Sequence, residues 1–139
     1  MTVRLYLDTA PVIYTVEQVQ LYAPMVDARL SASGVVRVTS DLTRMECRVK
    51  PLRDGNADLL KDYDDYFAGA VAEIVTLSRE VMDRAAEIRA KYGFKTPDAI
   101  HLAAAVVSGC EAFLTNDHRL DRFTDIAIEV IELQQKDRS

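Results

Sequence analysis

The chain lacks the features that mark several large functional classes. It has two cysteines, Cys47 and Cys110, far apart and without C-x-x-C spacing. Neither a disulfide framework nor a zinc cage is therefore indicated, and both read as buried free thiols. Basic residues are outnumbered, since 17 Lys and Arg against 22 Asp and Glu leave a formal net charge of −5. That balance, with a pI near 5.0, excludes a protein that coats nucleic acid by bulk electrostatics, though not one that holds it at a localised site. Long apolar runs are missing: the most apolar stretch, Ala99 to Val107, contains His101 and falls far short of the roughly 20 residues of a membrane span. Arg4 and Asp8 interrupt the N-terminal apolar stretch, and no small-residue cleavage site follows it. No secretory signal is read there, and the expected location is a reducing cytoplasm. A Gly-rich phosphate cradle and a nucleophile elbow are also absent, which argues against P-loop and Ser-His-Asp chemistry.

What remains is an ordinary globular composition, 49% hydrophobic and 28% charged over 139 residues, close to one domain's worth. Residues 1–139 are read as a single domain. Short β-branched runs alternate with helical patterns, the signature of βαβ units and a mainly parallel sheet. The first run is Val3 to Leu7, and helical pattern follows Asp8-Thr9-Ala10-Pro11 to about Ser33, with a break near Pro24 and Gly34 as a stop. Val35 to Thr39 reads as the second strand, with Ser40 as N-cap of the helix after it. A helix over Ala57 to Ala72, a strand over Ile74 to Leu77 and a helix capped by Ser78 and closed by Gly93 come next. Thr96-Pro97 reads as the cap and first residue of a helix to Ser108, apolar nearly all round and so central. Ala112 to Thr115 and Ile126 to Ile131 complete the strands. The expected fold is a three-layer α/β/α sandwich on about five strands.

Four carboxylates fall at strand ends or on core-facing helix stripes. Asp8 directly follows the first strand and Asp117 follows the Ala112 to Thr115 strand by two residues, so both belong at the carboxyl edge, where open parallel sheets place their ligands. Asp98 lies in the first turn of the buried helix. On the Ser40 helix, Leu42, Met45, Val49 and Leu52 form an apolar stripe with Glu46 at its margin. Each acid alone has a local explanation: a cap for Asp8, a helix-dipole partner in Asp98, an Asx turn at Asp117, a solvated helix acid in Glu46. Together, like charges gathered at one edge repel and call for a cation. Oxygen-only donors suit Mg²⁺ or Mn²⁺, which keep several waters for substrate phosphates. Asp121 supplies a further carboxylate nearby to which the pattern assigns no role.

Tyr6-Leu7-Asp8-Thr9-Ala10, Ser40-Asp41-Leu42-Thr43-Arg44-Met45-Glu46, Thr96-Pro97-Asp98-Ala99-Ile100-His101-Leu102-Ala103-Ala104-Ala105 and Phe113-Leu114-Thr115-Asn116-Asp117 resemble, in order, the four acidic motifs of PIN-domain ribonucleases. The third motif and the short length are most similar to VapC-type toxins of bacterial toxin–antitoxin pairs. The resemblance implies metal-binding, catalytic acids at Asp8, Glu46, Asp98 and Asp117, with support from Thr115 and Asn116. It also implies endonucleolytic cleavage of RNA, a cognate VapB-type antitoxin whose tail places a basic side chain among the carboxylates, and a homodimer through the N-terminal helices.

The chemistry of the residues agrees, since a divalent ion on carboxylates can lower the pKa of a bound water and offset charge on a phosphate. Arg44, Arg48, Lys95 and Arg119 adjoin the acidic motifs and are candidates for holding flanking phosphates, with solvated surface charge as the competing reading. Tyr14, Tyr22, Tyr63, Tyr66 and Tyr92 divide between base stacking and ordinary core or interface roles. His101 reads as a hydrogen-bonded helix residue and His118 as a loop surface residue, rather than as ligands of an iron or zinc site. Two other functions stay open at this level: a catalytically silent module of the same fold that binds protein or RNA, and a metal-dependent phosphohydrolase on small substrates.

Overall fold

A computed structural model describes residues 1–133. The sheet carries five strands, β1 (Val3–Leu7), β2 (Val35–Ser40), β3 (Glu73–Val75), β4 (Ala112–Thr115) and β5 (Ala127–Val130), in the order β3-β2-β1-β4-β5. Every neighbouring pair runs parallel. Six helices cover its two faces: α1 (Thr9–Val16), α2 (Ala23–Leu30), α3 (Asp41–Arg53), α4 (Ala57–Gly69), α5 (Arg79–Tyr92) and α6 (Thr96–Val107). A 3-10 turn, His118–Arg122, joins β4 to β5. This is the expected three-layer α/β/α sandwich.

Alternation along the central strands divides the core. Leu5 and Leu7 of β1, with Ala112 and Leu114 of β4, pack under Val12, Val26, Leu30, Tyr63 and Phe67 from α1, α2 and α4. On the opposite face Tyr6, Val38 and Phe113 pack against Val81, Ala85 and Ile88 of α5 and the buried stretch Ala99–Ala105 of α6. Being buried on both sides, the strands cannot show a polar face, which is why they read as near-continuous apolar runs.

Several local expectations move. The break between the first helices falls at residues 17–22, and Pro24 opens α2 rather than ending a helix, as suits a residue with a fixed φ and no N–H to contribute. The cap of α6 is Lys95, not Thr96, and no side chain serves it; Thr96 Oγ1 instead accepts from Arg89 Nε at 3.0 Å. Of the apolar stripe of α3 only Leu42 faces the core. Met45, Val49 and Leu52 are 53%, 49% and 56% exposed, whereas the buried side of the helix is Leu42, Thr43, Cys47 and Pro51. Gly93 does close α5 in the left-handed conformation, φ 74°, a backbone state that glycine enters at little cost.

Ser40 is the joint between sheet and site. Its hydroxyl accepts from the backbone N–H groups of Leu42 and Thr43, and Thr43 returns the bond to the Ser40 N–H, a reciprocal cap that starts α3 directly off β2. Ser40 Oγ also accepts from the buried Tyr6 hydroxyl at 2.8 Å. Replacing Ser40 by Ala is expected to lower unfolding stability by about 2 kcal/mol, since it removes the cap and one of the hydrogen-bond partners of the buried Tyr6 hydroxyl. Urea denaturation of both proteins measures it, and a change below about 0.5 kcal/mol contradicts this account.

Candidate active site

The strand order reverses at β1, which has β2 on one side and β4 on the other. The carboxyl ends on either side of such a reversal form a crevice. Asp8 stands at its centre. Its N–H donates to the Leu114 carbonyl at 3.0 Å, its Oδ1 accepts from the Thr9 N–H at 2.8 Å, and its Oδ2 accepts from the Thr115 hydroxyl at 2.7 Å. Asp8 therefore caps α1 and holds the site at once, so the two readings of it are compatible. Thr115 Oγ1 also accepts from the Asp117 N–H at 3.1 Å, which ties the fourth acid to the first.

Asp8, Glu46, Asp98 and Asp117 all line one cleft of about 330 Å³, with Thr9, His101 and Asn116 among its other walls. Glu46, partly exposed, reaches it from the margin of the buried side of α3, next to Thr43 and Cys47. Asp98 reaches it from the first turn of α6. Asn116 Nδ2 donates to Tyr14 Oη at 3.1 Å. Arg119 is drawn onto Asp117 at 2.6 Å. Arg44 and Arg48 both pair with Asp64 of α4, at 3.5 and 2.9 Å. Lys95 is exposed at the cap of α6, and Asp121 is exposed on the 3-10 turn. His118 is on the surface beside Glu132.

The four acids are not electrically equivalent. Burial raises the Asp98 carboxyl above the usual carboxylate range, and the neighbouring charges of Asp8 and Asp117 push it the same way. Burial also opposes ionisation of Glu46, but hydrogen bonds from His101 and Thr9 outweigh it together and hold that carboxyl below its ordinary value. The hydrogen bond from the Arg119 side chain holds Asp117 low as well. Asp98 is thus the acid whose charge the protein leaves least compensated.

His101 is the hydrogen-bonded helix residue that the sequence suggests, but its partners form a polar layer behind the acids that the sequence reading did not include. His101, 2% exposed, meets Glu46 Oε1 through Nε2 at 2.8 Å and Tyr6 Oη through Nδ1 at 2.8 Å. Tyr6 Oη also reaches Thr43 Oγ1 at 3.2 Å, and Thr9 Oγ1 donates to Glu46 Oε1 at 2.7 Å. Two signals pointed there. His101 stands three residues after Asp98, on the same side of the helix, and Tyr6 alternates with Leu5 and Leu7 so that it must face α6.

Among the described residues, no three His, Cys, Asp or Glu side chains stand together as a ready-made coordination group. The donor set nevertheless fits a hard divalent cation. The four acids offer only oxygen, and the charges of Asp8 and Asp117, which add to burial in raising Asp98, are what such an ion would offset.

The family profile described as PIN domain matches residues 5–126 of the chain. A sequence comparison with curated proteins finds no match. Among solved structures, VapBC2 from Rickettsia felis bound to a DNA fragment from the promoter is similar over 93% of this chain and 99% of that one, with a TM-score of 0.73 at 13% identity. A toxin–antitoxin complex from Klebsiella pneumoniae is similar over 92% and 98%, with a TM-score of 0.71 at 20% identity. Mycobacterium tuberculosis VapC20, described as a Sarcin-Ricin loop cleaving toxin, is similar over 78% and 86%, with a TM-score of 0.66 at 12% identity.

The unequal environments predict opposite signs on mutation. A carboxyl with a raised folded-state pKa favours folding at acid pH, and this advantage is lost as pH rises from 3.8 through the raised value. At neutral pH in chelator, Asp98→Asn is therefore expected to melt at an equal or higher temperature than the unmutated chain, by up to about 3 °C. That gain should vanish as pH falls below the carboxylate range. Glu46 is held low, so its contribution is present above its unfolded pKa and lost as pH falls through the depressed folded value. Glu46→Gln is expected to lose about 1 kcal/mol at neutral pH. Melting curves from pH 3 to 8 read both variants, and destabilisation by Asp98→Asn at every pH removes the case for a strained acidic site.

Proposed function

The chain belongs to the PIN domain family, and from that membership we propose that it is a metal-dependent endoribonuclease of the VapC toxin type. One observation carries the proposal: Asp8, Glu46, Asp98 and Asp117, brought from four separate segments, line a single cleft at the point where the strand order reverses. A structural role for each acid would not need them to meet.

Asp8 and Asp98 face each other's charge and would hold Mg²⁺ or Mn²⁺, with Glu46 and Asp117 completing the acidic wall. When bound, the ion supplies a water of lowered pKa as nucleophile and offsets charge on the scissile phosphate. The chain's own residues do the rest. Thr115 and the Thr9 N–H orient both oxygens of Asp8. The side chains of His101 and Thr9 keep Glu46 ionised, so it can accept a proton or a hydrogen bond from water without an added base. Arg119 holds Asp117 ionised and leaves a guanidinium at the cleft mouth for a phosphate flanking the cut. Lys95 is placed for the same task, whereas Arg44 and Arg48, like Arg119, already pair with a carboxylate.

The regulatory half of the proposal is a cognate VapB-type antitoxin, by analogy with the complexes to which the fold is similar. A concentrated anionic cleft favours inhibition by an inserted Arg or Lys. A homodimer through the N-terminal helices belongs to the same reading. In described residues 1–133 no helix is long and apolar enough to cross a membrane; placement in the cytoplasm is part of the proposal.

Purified protein incubated with structured RNA is expected to cleave it in Mn²⁺ and not in chelator, with Asp98→Asn and Asp8→Asn inactive in both. Mn²⁺ should also raise the melting temperature of the unmutated chain. An ion bound only to the folded state contributes about 2.7 kcal/mol at a hundred times its dissociation constant. RNA left intact with the thermal shift present indicates a silent binding module, and hydrolysis of small phosphoesters alone indicates a phosphohydrolase.

A further inference from the structure

We infer that His101 is a positioning residue of the proposed cleavage reaction, fixing the Glu46 carboxylate against the cleft wall while Tyr6 fixes the imidazole. The inference rests on the nuclease reading above, and it concerns residues outside the four acids.

The geometry is asymmetric in an instructive way. Both donors to Glu46, His101 Nε2 and the Thr9 hydroxyl, converge on Oε1, at 2.8 and 2.7 Å. Among the described residues Oε2 receives no hydrogen bond. One oxygen is thereby clamped and the other kept free on a residue that lines the cleft. A carboxylate only accepts, so the imidazole must present an N–H at Nε2. Glutamate has three side-chain torsions and would otherwise sample solvent from its half-exposed position on α3.

The clamp is itself rigid. His101 is 2% exposed and Tyr6 is fully buried. The tyrosine ring stacks on Phe113 at 5.1 Å between centroids and 8° between planes, and it meets the imidazole edge-on at 5.8 Å and 65°. Its hydroxyl touches His101 Nδ1, Ser40 Oγ and Thr43 Oγ1. Ser40 and Thr43 begin α3, which carries Glu46, and His101 lies on α6, which carries Asp98. One phenol oxygen on the central strand therefore sets the two acid-bearing helices against each other. An apolar residue at position 6 would fill the same space; the hydroxyl adds only this linkage. Partners of this kind typically change metal affinity or activity by about 10–100-fold when removed.

The test compares His101→Leu, His101→Gln and Tyr6→Phe, with Asp98→Asn as control, in steady-state RNA cleavage with Mn²⁺ and in Mn²⁺ calorimetry. His101→Leu is expected to lower kcat about 10–100-fold with the RNA KM within about threefold. His101→Gln, whose amide can still donate to Glu46, should recover most of that loss, and Tyr6→Phe should fall between. Calorimetry should show His101→Leu weakening Mn²⁺ binding about tenfold in the unmutated background, and not at all once Glu46→Gln is present. A His101→Leu protein that turns over within about threefold while Asp98→Asn is inactive overturns the positioning role alone. Asp98→Asn cleaving as fast as the unmutated chain overturns the nuclease reading and this one with it. Additive losses with Glu46→Gln, or no rescue by Gln, show that His101 serves the fold and overturn the inference. If His101→Leu fails to fold, Tyr6→Phe decides: unchanged kcat and unchanged Mn²⁺ affinity in a folded protein overturn it.

Discussion

The pairing of β1 with β2 on one side and β4 on the other is the constraint on which the rest of the molecule depends. It buries the second half of β1, Leu5 to Leu7, completely, and the first residue past the strand is Asp8. Because the chain crosses to opposite edges from this strand, the segments that follow β2 and β4 turn toward the same crevice. α3 brings Glu46 from one direction, and Thr115 with Asp117 comes from the other. α6, packed across the opposite face from α1, supplies Asp98. No acid had to be placed by a long loop. Each stands within a few residues of a strand end or a helix start, where backbone geometry is well determined.

Gathering charges this way costs stability, and the protein offsets the cost unevenly. Arg119 answers Asp117, and His101 with Thr9 answers Glu46. Among the described residues Asp98 receives no comparable hydrogen bond, and the charges of Asp8 and Asp117 raise it more than those of Arg119 and His101 lower it. A fold under selection for stability alone would not leave a half-buried carboxylate facing two others. An arrangement in which three acids are oriented and one is left uncompensated is what a site for a cation requires, since a fully neutralised pocket would have no charge left to attract one.

Much of this was legible in the sequence because it depends on local signals. Five strand runs, Ser40 and Ser78 as caps, and Gly93 as a left-handed stop appear in the structure, with the third strand at Glu73–Val75 rather than Ile74 to Leu77. The errors share a cause. On α3 the spacing of Leu42, Met45, Val49 and Leu52 suggests a core stripe, but periodicity shows only that apolar residues share a face and not what lies opposite. The structure buries only Leu42 of that stripe, together with Thr43, Cys47 and Pro51, and Glu46 reaches the cleft from the margin of that side. At α6 the strong cap preference of threonine lost to tertiary context, because Arg89 of α5 engages Thr96. Pairings such as Arg48 with Asp64 depend on how α3 lies against α4 and have no one-dimensional signature.

The polar layer around Tyr6 was the least legible part, and its position explains why. A tyrosine within a buried strand looks like any large core residue, and its burial beside Phe113 conforms to that expectation. Taking its hydroxyl out of water costs free energy unless partners are supplied, and here three side chains from β2, α3 and α6 supply them. Burial drives the phenol far above its ordinary pKa, so it stays neutral and serves only as a hydrogen-bonding hub. Such a hub specifies geometry more sharply than apolar packing can, because a displaced helix loses a directional bond as well as contact area. The strands position the acids to within a residue or two; the tyrosine hydroxyl fixes the helices that carry two of them.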